Sequence, residues 1–184
     1  MKDVDEQRII AARRKVATVG SVIERAMAMD DGVWERHANP WSAWSRVPIL
    51  PLLCLAFWAR IWIGWWCLVP IAILTLWIWL NPRAFPRPRS TRSWASRAVM
   101  GERVWLNRSR TPIPTHHAIW AQILAGLSAL GLPPLIWGLI NLDLPWLLLG
   151  LLGTIGPKMW FLDRMVWLFD DMSLEHPEYA KWLR

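Results

Sequence analysis

The stretch 47–80, VPILPLLCLAFWARIWIGWWCLVPIAILTLWIWL, contains a single ionisable group apart from two thiols, Arg60. A run this apolar is a membrane segment, yet as one helix it would reach about 50 Å against a hydrocarbon core of roughly 30 Å. It is therefore expected to fold back on itself. Gly64 stands near its middle, surrounded by Trp58, Arg60, Trp62, Trp65 and Trp66. That aromatic and cationic cluster has the chemistry of a water interface, not of the bilayer centre. The expected hairpin has arms over 47–63 and 65–80, with Pro70 bending the second.

A chain of 184 residues that is 54% hydrophobic and only 19% charged resembles a small polytopic membrane protein more than a soluble domain. The 17 Trp point the same way, because an indole at the headgroup level buries its ring while keeping its N–H wet. The first twenty residues have no uninterrupted apolar core, so no cleavable signal peptide is expected. Over 1–32, Ile9, Ala12, Val16, Val19, Ile23 and Met27 recur at spacings of three and four. This predicts an amphipathic helix on the membrane surface or against the rest of the protein, ended by Asp30-Asp31-Gly32.

A membrane domain is expected over 33–172. Asn39-Pro40 turns the chain, and Trp41 and Trp44 mark the interface before the first crossing. The basic central loop, 81–117, begins extended and Pro-rich, then offers a short helix over 93–107, placed flat on the membrane. A second hairpin follows, with arms over 118–140 and 144–161 and a turn at 141–143. There Asp143 suits an N-cap and Pro145 the first turn. A competing division ends the outgoing arm near Leu132 and runs the last crossing from Pro134 to Gly156. It leaves Asp143 mid-membrane, at a cost of roughly 2.5 kcal/mol or more, and is not preferred. The tail, 157–184, is expected to be an acidic amphipathic helix with Trp160, Asp163, Trp167, Asp170 and Asp171 near one face. The fold class is thus all-α: four transmembrane helices as two hairpins, with amphipathic interfacial helices.

Orientation follows from where Lys and Arg fall. Eight precede the first hairpin, eight lie in the central loop and four in the tail, leaving only Arg60 of the 21 at a hairpin turn. The positive-inside rule then puts both termini and the central loop in the cytoplasm of an inner-membrane protein. The net charge of +7 would elsewhere suggest nucleic acid. Here the cations flank apolar segments, so the expected partner is the bilayer, anionic lipid above all, with a homodimer or another membrane protein as further candidates and no nucleic acid.

Site chemistry is sparse. No H-x-x-x-H or E-x-x-H occurs, and adjacent His116-His117 should point apart on a helix, so neither a metal centre nor a cofactor is expected. No nucleophile elbow, C-x-x-C, phosphate loop or dinucleotide fingerprint is present. An enzyme acting on a lipid or amphiphile at the cytoplasmic interface would have to draw on His37, His116, Asp163 and Asp170. More prominent is the interleaving of Arg and Trp. Arg36, Arg46, Arg97, Arg103 and Arg164, with Trp41 and Trp44, could hold an anionic headgroup, guanidinium on the anion and indole on the chain. The plainer alternatives are interfacial anchoring, or pairing of central-loop arginines with Asp163, Asp170 and Asp171.

The strings HANPWSAWSR (His37 to Arg46), ARIWIGWW (Ala59 to Trp66), NPRAF (Asn81 to Phe85), GERVWLNR (Gly101 to Arg108) and KMWFLDRMVWL (Lys158 to Leu168) resemble those of a family of small, Trp-rich bacterial membrane proteins known only as a domain of unknown function. The resemblance spans roughly 33–172. It implies a bacterial or archaeal inner-membrane location and transfers no catalytic residue. The function expected is a non-catalytic lipid- or partner-binding module at the cytoplasmic face, with the interfacial enzyme as the alternative.

Overall fold

Asp30 starts a helix: its carboxylate accepts from Val33 N at 2.7 Å and caps α1, Asp31–His37. The structure is a computed structural model that describes residues 29–184. The amphipathic helix expected over 1–32 falls almost wholly outside the described residues. Asn39 caps α2, Pro40–Trp44, which leads into α3, Ile49–Trp58, with Pro48 at its N-cap. A short α4, Arg60–Ile63, and a 3-10 turn, Gly64–Cys67, reverse the chain into α5, Leu68–Ala84. Gly64 adopts φ +55°, a conformation costly for any residue with a Cβ, and this is what lets the apolar stretch double back. Pro70 falls in the first turn of α5, where its missing N–H costs little.

The base of this hairpin is tied by a buried polar network. Ser42 Oγ donates to Asn81 Oδ1 at 2.7 Å and lies 3.2 Å from His37 Nδ1, while Asn81 Nδ2 donates to Ser45 Oγ at 2.7 Å. Ser42 and Asn81 are fully buried, so each hydrogen bond avoids an unsatisfied polar group in the core.

The helix of the central loop, α6, spans Trp94–Leu106 with Ser93 as its cap. It is packed into the protein core. Ala95, Ala98, Val99, Met100 and Val104 are buried, and a Cβ added to Gly101 would sit 1.9 Å from the Met165 carbonyl oxygen. Its stripe of small residues lets it lie directly on the long last helix, forming the main core with Met165, Leu168, Phe169 and Met172.

Next, α7, Thr115–Leu130, runs through a helical Gly131 into α8, Leu132–Asn141. Leu142 turns the chain in the left-handed region, and Asp143 caps α9, Leu144–Glu175, by accepting from Trp146 N at 3.2 Å. The turn at 141–143 is therefore the preferred one, and the division that buries Asp143 in mid-helix is not adopted. Glycines set the spacing of these arms. A Cβ on Gly138 would meet Leu147 N at 2.3 Å, and one on Gly150 would meet Leu135 N at 2.2 Å. A last turn of helix, α10, Pro177–Ala180, leads to the C-terminal segment, which is pinned to the central loop. Thr91 N donates to Arg184 O at 2.9 Å, and Thr91 Oγ1 to Trp182 O at 2.7 Å.

The two hairpin tips also meet. Arg60 donates to the carbonyls of Leu139 at 2.7 Å and Ile140 at 2.9 Å, the unpaired C-terminal carbonyls of α8. All described secondary structure is helical.

Candidate functional site

Where the first hairpin's base meets α6 and α9, a cavity of about 230 Å³ remains. Its walls are mainly apolar, and its charged groups are Arg46, Glu102 and Lys158. Lys158 Nζ donates to Glu102 Oε1 at 2.8 Å. Burial alone would raise the Glu102 carboxyl, but Lys158 and Arg46 outweigh it and hold the group below its ordinary range, so it is ionised. Two cations then face one anion, leaving the cavity one positive charge in excess. Thr154 also lines it, with a buried hydroxyl that has no hydrogen-bond partner among the described residues.

Two indoles complete the wall. Trp44 and Trp94 stack with ring centroids 5.6 Å apart, and Trp94 Nε1 donates to Asp163 Oδ1 at 2.9 Å, which fixes the ring's orientation. Beside the cavity, His37 is buried and held neutral: loss of hydration, reinforced by the Arg46 charge and only partly offset by Glu102, lowers its pKa to about 3.

The residues expected to bind anions divide among different tasks. Arg46 and Trp44 line the cavity. Arg97 pairs with Asp170 at 2.7 Å, an α6–α9 link of the ion-pair kind. Arg103 pairs with Asp31 and lies 4.3 Å above the Trp182 ring. Arg164 packs over the Trp167 ring at 4.8 Å, and Arg36 keeps a buried Nε without a partner among the described residues. Trp41 is exposed.

The four residues proposed for catalysis are not brought together. His37 contacts Ser42, Asp163 takes the Trp94 indole, Asp170 takes Arg97, and His116 lies against His117. Adjacent His116-His117 do not diverge as expected. In the first turn of α7 their ring centroids lie 4.1 Å apart, and His117 Nε2 lies 2.8 Å from Asp171 Oδ2.

Sequence reasoning overlooked Glu102 and Lys158 as site residues. A signal existed in each: Glu102 is the only acid in the Arg-rich loop, and Lys158 follows a long uncharged run.

These features define a class, an all-α protein with two helical stretches, Pro40–Ala84 and Thr115–Asn141, long and apolar enough to cross a membrane. More particularly, the chain belongs to a family of unknown function (DUF6653), whose model matches residues 18–182. No curated protein and no solved structure matches it.

Proposed function

We propose that this is a four-pass inner-membrane protein whose cytoplasmic-face cavity binds the headgroup of an anionic amphiphile. The observation that supports it best is the pairing of a cationic, Trp-walled cavity with apolar spans left uncovered. Only 6% of the Pro40–Ala84 window and 22% of the Thr115–Asn141 window is buried within the protein, whereas the core helix of a soluble protein is mostly buried. Lipid is the solvent such surfaces require.

In this reading the continuous arm of α3 and α4 makes one pair of crossings with α5, and α7–α8 and the first half of α9 make the other. At 32 residues, α9 is about 48 Å long and extends past the hydrocarbon, carrying its acidic half into the cytoplasmic layer beside α6. The cavity then lies near the bilayer surface, where a lipid presents its phosphate. Its 230 Å³ is below the roughly 300–1,000 Å³ of ordinary small-molecule sites. That size suits a headgroup or a short length of chain, with the rest of the molecule remaining in the bilayer. Arg46 and Lys158 would meet the anion, and Trp44 and Trp94 the adjoining carbons.

Native mass spectrometry of tag-free protein, released from nanodiscs of equal parts phosphatidylglycerol and phosphatidylcholine, tests this. Retention of phosphatidylglycerol that drops in Arg46→Gln and Lys158→Gln supports the proposal; equal retention of both lipids, or retention insensitive to both substitutions, rejects it.

A further inference from the structure

We propose that His116, His117 and Asp171 form a binding site for a late first-row divalent cation of the Zn²⁺ type. One nitrogen from each ring and one carboxylate oxygen lie within 4.8 Å of one another. The donors come from two elements, the first turn of α7 and the end of α9, so the arrangement is tertiary and not an accident of one helix's spacing. None of the three lines the cavity.

The donor set decides the class of ion. Two imidazoles and one carboxylate suit Zn²⁺ and its neighbours, whereas Mg²⁺ and Ca²⁺ take oxygen ligands. A tetrahedral ion with bonds of about 2.0–2.1 Å needs its donors roughly 3.3 Å apart, so the widest separation, within 4.8 Å, must close by up to about 1.5 Å while His117 Nε2 and Asp171 Oδ2, at 2.8 Å, part by about half an ångström. The structure allows that movement. His116 and Asp171 are exposed and can change rotamer, while His117, 1% exposed, is the fixed point.

His117 Nε2 is the nitrogen that faces Asp171, and so the one that would hold the ion together with that carboxylate. His117 is almost fully buried, yet its Nδ1 has no hydrogen-bond partner among the described residues. The His116 ring lies beside it, with ring centroids 4.1 Å apart and 39° between the planes. Three protein ligands leave at least one position for water or an anion.

The test uses tag-free, chelator-stripped full-length protein in detergent, titrated with Co²⁺ as a spectroscopic probe. The expected result is one equivalent of Co²⁺ with visible ligand-field bands, displaced by Zn²⁺ and not by Mg²⁺. His116→Ala and Asp171→Asn should each weaken binding by more than about 100-fold, beyond the 10- to 100-fold typical of losing an outer-shell partner. Asp171→Asn is isosteric on a side chain 55% exposed, so its reading does not depend on refolding of the core. Absence of Co²⁺ binding, equal binding by both variants, or displacement by Mg²⁺ at equal concentration would overturn the site.

Discussion

Burial keeps His37 neutral in the folded protein down to about pH 3, whereas in the unfolded chain it protonates near its ordinary value of 6.5. As pH falls between those values, the unfolded state takes up a proton that the folded state refuses. Stability supplied by His37 is therefore lost on acidification, by up to about 1.4 kcal/mol per pH unit. Thermal unfolding in detergent should show this slope in the native protein and a shallower one in His37→Gln; identical slopes would assign the acid sensitivity elsewhere. Arg60 invites a second substitution. It supplies charged hydrogen bonds to two carbonyls of the other hairpin, so Arg60→Ala should cost about 1.5–3 kcal/mol, read as a lower midpoint of denaturation. Arg60→Lys should recover only part of the loss, because an ammonium lacks the planar fork.

Helices in this protein approach one another where glycine allows it. Gly138→Ala and Gly150→Ala would drive a Cβ to within 2.3 Å and 2.2 Å of the facing backbone. Each should destabilise by about 1–3 kcal/mol, the usual range for overpacking. Gly126→Ala is the control: a Cβ there meets nothing within 4 Å, so midpoints should hold or rise slightly. A fall at Gly126 as large as at Gly150 would contradict this account of the packing. Element ends were legible in the sequence because caps are local: Ser93, Asp143 and the Gly64 reversal depend on neighbours within a few residues. The burial of α6 was not. Ala95, Ala98 and Val99 form a weak apolar stripe among arginines, and only the partner helix shows that small residues there mean close contact. The same limit hid the His116–His117–Asp171 cluster, whose members lie 54 residues apart in sequence.

At the scale of the whole molecule, the tips of the hairpins lie together at Arg60 and Ile140, and the polar groups that close the structure gather at the opposite end. There Glu35 meets both Arg87 and Arg184, and Arg97 meets Asp170. An insertion of two hairpins predicts that reporters fused at residues 64 and 142 report the periplasm, and those at 95 and 184 the cytoplasm. All four reporting one side would remove the four-pass layout and, with it, the position of the cavity at a bilayer surface. The cavity itself could not be read from spacing, since its walls come from both hairpins and the helix between them.

The clasp at the tips has a consequence for biosynthesis. Arg60 and its first acceptor are 79 residues apart, so at roughly 5–20 residues per second Arg60 is synthesised about 4–16 s before the carbonyl at Leu139 exists. If the four-pass layout proposed above holds, the first hairpin must keep this cation in water on the far side of the bilayer during that interval. In that layout its arrival there would commit the nascent chain to an orientation before the second half has been translated, and the later pairing would lock that choice in place.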